Sequence, residues 1–158
     1  MEFLQTLFGE NIGLIFGGLG VAIATFGGGV GSARAVGLAG ESAAALVKEK
    51  PELFVQSLVL QLLPATQGLY GFVIGLLMLL NLNTSIETTT GWYYLMCALP
   101  VAITGFTSAP AQARASVAGM QILAKRPENV TQGIIFSAMV ETYAILGFVI
   151  SLLMFLFV

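Results

Sequence analysis

The chain contains no histidine and a single cysteine, Cys97, and only 9% of its 158 residues are charged. The first two scarcities exclude a disulfide framework and a Cys/His metal centre. The third excludes an ordinary soluble domain, which carries about 25% charged residues. With a net charge of −2 there is no basic surface for nucleic acid, and no such partner is expected. What replaces charge is apolar surface: 57% of residues are hydrophobic and mean hydropathy is +0.93. That is the composition of an integral membrane protein. The opening "MEFLQTLFGENIG" lacks the positive n-region of a signal peptide, so its apolar residues are expected to stay in the mature chain.

Apolar stretches cover roughly 11–47, 53–80, 92–124 and 129–158. Each exceeds the ~20 residues that cross a bilayer core of ~30 Å. Three short polar breaks separate them: "KEKPE" (48–52), "NLNTSIETTTG" (81–91) and "KRPE" (125–128). Breaks this short make neighbouring helices antiparallel. The expected fold is therefore an all-α membrane protein of four transmembrane helices arranged as two hairpins.

The hairpins are copies of each other. A shift of 76 residues carries Pro51-Glu52 onto Pro127-Glu128, Gln56 onto Gln132, and "GFVIGLLM" (71–78) onto "GFVISLLM" (147–154). Ser32, Ala33, Ala35 and Ala39 fall on Ser108, Ala109, Ala111 and Ala115. Each repeat holds two spans, so both enter the membrane in the same direction, as a tandem duplication rather than an inverted one. The expected division is a first hairpin at 1–80, a loop at 81–91 and a second hairpin at 92–158. Lys48, Lys50, Lys125 and Arg126 lie in or beside the first and third breaks, while the middle loop and both termini carry no Lys or Arg. The positive-inside rule puts the two "PE" loops in the cytoplasm and both termini outside, in a multi-pass protein of the cell membrane.

The first span, "GLIFGGLGVAIATFGGGVGSARAVGLAG", and the "SAPAQARASVAG" of the third are slender, whereas the second and fourth are rich in Leu, Ile, Phe and Met. Gly13/Gly17 and Gly27/Gly31 match the small-xxx-small pattern of close helix packing. A ring with slender helices on its inner circle and bulky ones outside fits this contrast, and so does packing within a monomer. The glycines are not a nucleotide loop: "GGGVGSAR" lacks the Lys-Ser/Thr of a P-loop and follows no strand.

Glu141 lies in a span, where a charge costs at least ~2.5–3.5 kcal/mol and marks a functional position. It is 13 residues past Glu128, or ~20 Å along a helix. Thr66 and Gln67 lie 14 and 15 residues past Glu52, and Gln112 lies 13 residues before Lys125. Three spans thus bring polar side chains to one depth. Leu63, Thr66, Gln67 and Tyr70 follow i, i+3, i+4, i+7 and share a face. A proton carrier needs only a carboxylate and a partner, whereas a hard cation needs several oxygens. Thr66, Gln67, Gln112 and Glu141 supply four, and one carboxylate among neutral oxygens favours Na⁺ over a divalent ion. Pro64 has no N–H, which frees the Leu60 carbonyl as a fifth candidate. Tyr70 can donate its O–H to Glu141. Under the 76-residue shift Glu141 falls on Ala65, Gln67 on Tyr143 and Gln112 on Val36, so the duplication keeps one ion site per two hairpins. Arg34, Glu41 and Lys48 form one stripe, read as structural. Arg34 and Arg114 either snorkel or lie where the slender helices protrude. A Glu141–arginine pair within the chain is the rival to an ion site.

The two hairpins, the glycine-rich first helix, "LLPATQGLYG" (62–71), "PAQARASVAG" (110–119) and "MVETYAILGFVISLL" (139–153) resemble the membrane proteolipids of V-type ATPases, in particular the bacterial Na⁺-transporting type. The resemblance spans essentially the whole chain. It implies a non-catalytic subunit that assembles as a homo-oligomeric rotor ring in lipid. It implies Na⁺ ligands at the Leu63 carbonyl, Thr66, Gln67, Gln112 and Glu141, with Tyr70 holding Glu141. On the carbonyl it replaces Leu60 with Leu63. It also implies an arginine-bearing stator subunit in the membrane and a central stalk at the cytoplasmic loops. An H⁺-translocating rotor is the alternative. A small four-helix exporter and a pore-forming oligomer explain the repeat or Glu141 less well.

Overall fold

The computed structural model describes residues 9–157, which leaves the expectation about the first apolar residues outside the described part. The fold class is as expected: among the described residues four helical stretches are long and apolar enough to cross a membrane, and no strand occurs. Helix α1 is Ile12–Glu49. The second span consists of α2 (Phe54–Leu62) and α3 (Thr66–Asn81), joined by a 3₁₀ turn at Leu63–Ala65. Helix α4 is Thr88–Lys125 and α5 is Val130–Leu156. Helix α4 begins inside the stretch read as the middle loop, which narrows the linker to residues 82–87. The close approach of Gly13 to the Ile86–Glu87 backbone and to Gly91 leaves no room for a loose loop there.

Helices α1 and α4 have 38 residues each, or ~57 Å, well beyond a hydrocarbon core of ~30 Å. They pack on each other along their length, α3 lies on α1, α5 lies on α4, and α3 meets α5. The seam between α1 and α4 is glycine against backbone. A side chain added at Gly20 would stand 2.9 Å from the Tyr94 carbonyl oxygen, and one at Gly31 2.8 Å from that of Gly105. Gly13, Gly20, Gly27 and Gly31 all lie on the seam. The small-residue pattern therefore joins the two hairpins to each other.

Both "PE" loops lie at one end, where the Lys50 ammonium donates to the Ala124 carbonyl at 2.5 Å. Each loop opens with proline at the start of a 3₁₀ turn, Pro51–Leu53 and Pro127–Asn129. Proline suits that place because its missing N–H has no partner to lose. Among the described residues the interior holds a small contact of Ala35 with Ala109 and Ala113 and two larger apolar clusters. One, around Ile74, Met78, Tyr94 and Val101, lies toward the other end; the second joins Leu60 to Met120 and Leu123 nearer the loops.

Candidate ion site

Pro64 shapes the site. Without an N–H it cannot complete the helix, and the chain tightens into a 3₁₀ turn in which the Thr66 N–H bonds to the Leu63 carbonyl. The Thr66 hydroxyl donates to the same carbonyl at 3.1 Å and reaches Gln67 Oε1 at 3.5 Å. The proline argument that points to Leu60 names the carbonyl that loses its partner. The carbonyl that joins the polar cluster is one turn on, at Leu63, because the tighter turn brings it to Thr66. Leu60 itself is fully buried in the apolar cluster beside Met120.

From there the network crosses three helices. Gln67 on α3 donates its amide to the Gln112 carbonyl oxygen on α4. Gln112 donates its own amide to Glu141 Oε2 on α5 at 3.3 Å. The Tyr70 hydroxyl donates to Glu141 Oε1 at 2.5 Å. The Tyr70 ring rests on Phe148, with centroids 5.2 Å apart, which fixes its direction. Gln67 and Gln112 are fully buried, whereas Glu141 is half-buried on the flank of the chain. Leu63, Thr66, Gln67, Tyr70, Gln112 and Glu141 are thus brought together, and none of the six stands apart.

A further contact, not expected from the sequence, supports the site. The Ser32 hydroxyl on α1 accepts from the Gly68 N–H at 2.8 Å, next to Gln67. Gly28 on the same helix lies against the Gln67 carbonyl, where any side chain would collide. In the sequence Ser32 stands out only as the repeat match of Ser108, and no signal there tells which backbone it meets.

Arg34 and Arg114 are both exposed. The Arg114 Nε donates to the Pro110 carbonyl at 3.4 Å on its own helix. The bonding partners of Glu141 are the neutral Tyr70 and Gln112, so the rival arginine pair is not what this structure contains. Arg34, Glu41 and Lys48 are all exposed on α1.

Chemically the cluster offers one carboxylate, two carboxamide oxygens, a hydroxyl and a backbone carbonyl. Among the described residues no group of three or more His, Cys, Asp and Glu could hold a metal. A hard monovalent cation fits the cluster on charge, since one carboxylate balances it and neutral oxygens complete its shell.

A family model for the C-subunit of ATP synthase matches the chain twice, at residues 19–78 and 95–154. The start shifts from 19 to 95, the same 76 residues as the internal repeat. The chain belongs to this family of membrane subunits of rotary ATPases. It is 54% identical over 156 residues to the V-type sodium ATPase subunit K of Enterococcus hirae, covering 99% of this chain and 98% of that one. It is 35% identical over 143 residues to the A-type ATP synthase subunit K of Methanocaldococcus jannaschii, covering 90% of this chain and 61% of that one.

Proposed function

We propose that this chain is the rotor-ring proteolipid of a V-type ATPase and carries one Na⁺ per copy across the membrane. The observation that carries the reading is the polar network in which Tyr70 and Gln112 hold both oxygens of Glu141 while Thr66, Gln67 and the Leu63 carbonyl stand beside them. The naming of a sodium ATPase subunit at 54% identity supports the choice of ion.

Each residue has a role. Glu141 supplies the charge that binds Na⁺. Thr66, Gln67, Gln112 and the Leu63 carbonyl supply oxygens that replace its water. Tyr70 orients the carboxylate. With Na⁺ bound the site is neutral and can face lipid. Without it, an ionised Glu141 is tolerated only beside a cation. The fitting partner is an arginine on a stator subunit, since Glu141 lies on the flank of the chain. Half-channels at that contact would bias rotation one way. Hydrolysis of ATP belongs to other subunits of the complex, and this subunit is non-catalytic. The loop end that carries Lys48, Lys50, Lys125 and Arg126 faces the cytoplasm and meets the central stalk, and both termini face outside.

Carbodiimide labelling of carboxylates in membranes tests the reading. Glu141 is expected to react, and Na⁺ near neutral pH is expected to protect it. Labelling that responds to protons and ignores Na⁺ would assign the site to H⁺ instead.

A further inference from the structure

The chain contains one packed interface between a first hairpin and a second. Its centre is Leu60, 0% exposed, whose side chain lies over the Gly119–Gly133 crossing of α4 and α5. Leu60 and Leu63 pack there with Met120, Leu123, Val130 and Ile134. Shifted by 76 residues, the two knobs become Phe136 and Met139, which are 62% and 61% exposed. The residues that receive them, shifted back by 76, become Ala44, Val47, Phe54 and Leu58. Gly119 and Gly133 become Ala43 and Ser57. These six residues line an open groove of about 370 Å³ on the first hairpin. Large knobs without a socket and a socket without knobs thus occur at equivalent places in one chain. In the groove Ala43 and Ser57 replace two glycines, and Phe136 is a larger knob than Leu60.

Two other features obey the same shift. Lys50 crosses from the first loop to the Ala124 carbonyl of the second hairpin, and its equivalents are Arg126 and the Lys48 carbonyl. In the seam, Gly20 faces Tyr94 and Gly31 faces Gly105. The equivalents are Met96 facing Gly18 and Thr107 facing Gly29. Gly18 and Gly29 have nothing within 4 Å of where a side chain would begin, and Met96 and Thr107 are exposed. The bulk has moved to one helix and the space to the other. The repetition is not exact: Gly27 against Ala102 becomes Ile103 against Phe26, two large exposed side chains. Copies packed by this repeat would therefore hold α1 and α4 of neighbouring chains farther apart than the two helices stand within one chain.

We propose that a second copy of this chain docks through this repeated interface. Phe136 and Met139 of one copy fill the Ala43–Leu58 groove of the next, Met96 and Thr107 lie over the next copy's Gly18 and Gly29, and Arg126 reaches its Lys48 carbonyl. The proposal rests on the ring assembly given above and names its contact surface.

Oxidative cross-linking in membranes tests it, using full chains in a Cys97→Ala background. The pair Phe136→Cys with Ala43→Cys, equivalent to the Leu60–Gly119 contact, is expected to give a ladder of covalent multimers. Each single variant, and Phe136→Cys with the exposed Leu69→Cys, is expected to give no ladder. Gly29→Leu is expected to lower the oligomeric fraction in mild detergent about tenfold while helicity is kept, because only a neighbouring copy occupies that space. An oligomer of high mass with no Phe136–Ala43 ladder, or one indifferent to Gly29→Leu, would overturn the interface and leave the ring intact. A monomer by native mass would remove both.

Discussion

At the scale of single residues, the site divides into a charge and its neutral company. Glu141 already has a donor on each oxygen, and the next oxygens belong to Gln112, Gln67 and Thr66. On the proposed site each ligand would contribute on the order of one hydrogen bond to a charged group, about 1.5–3 kcal/mol, or roughly tenfold or more in affinity. Gln112→Ala is therefore expected to raise the Na⁺ concentration needed to protect Glu141 from carbodiimide by at least about tenfold. Thr66→Val, which keeps shape and removes the hydroxyl, is expected to do the same, and Thr66→Ser to restore near-normal protection. Equal protection in Thr66→Val and the parent would take the hydroxyl out of the set. These side chains were legible in the sequence because a polar group at membrane depth has few reasons to be there, and helical rise places it within a turn. The carbonyl was not. Proline identifies the acceptor that loses its bond, at Leu60, whereas the 3₁₀ turn decides which acceptor is turned to Thr66.

At the scale of elements, the break between α2 and α3 has a chemical consequence. An alanine at position 64 could donate to the Leu60 carbonyl and continue the helix, and the Leu63 carbonyl would then turn along the helix axis. Pro64→Ala is expected to leave helicity by circular dichroism unchanged or slightly higher while weakening Na⁺ protection by up to about tenfold. Unchanged protection would mean that the carbonyl contributes nothing. The four spans were legible from hydropathy to within a few residues, because apolar length is what a bilayer selects. Their pairing was not. Gly27 and Gly31 announce a close approach without saying to what, and only the packed chain shows Ala102 and Gly105 opposite them. The arginines stayed ambiguous for a related reason. Spacing along the chain gives Arg34 and Arg114 a depth, and only the packed chain shows that both lie on exposed surface of 38-residue helices.

At the scale of the whole molecule, the duplication has made two similar halves unequal. The position equivalent to the site has Ala65 for Glu141, Tyr143 for Gln67 and Val36 for Gln112, so it has neither charge nor carboxamides. Purified protein is expected to bind one Na⁺ per chain, measured by isotope retention or calorimetry, and Glu141→Gln to bind none at the same concentration. A ratio of two would require a second site that the first hairpin lacks the oxygens to build.

The glycine seam has a mechanical meaning as well. Where α1 and α4 touch through backbone, no side chains lie between them to change rotamer and let one helix slide past the other. Two rods of ~57 Å locked in this way resist twist and bending together. A force applied at the loop end would reach the opposite end with little lost in deformation. The compliance of an assembly of such chains would then reside in the softer joints between copies, each chain turning as a stiff stave.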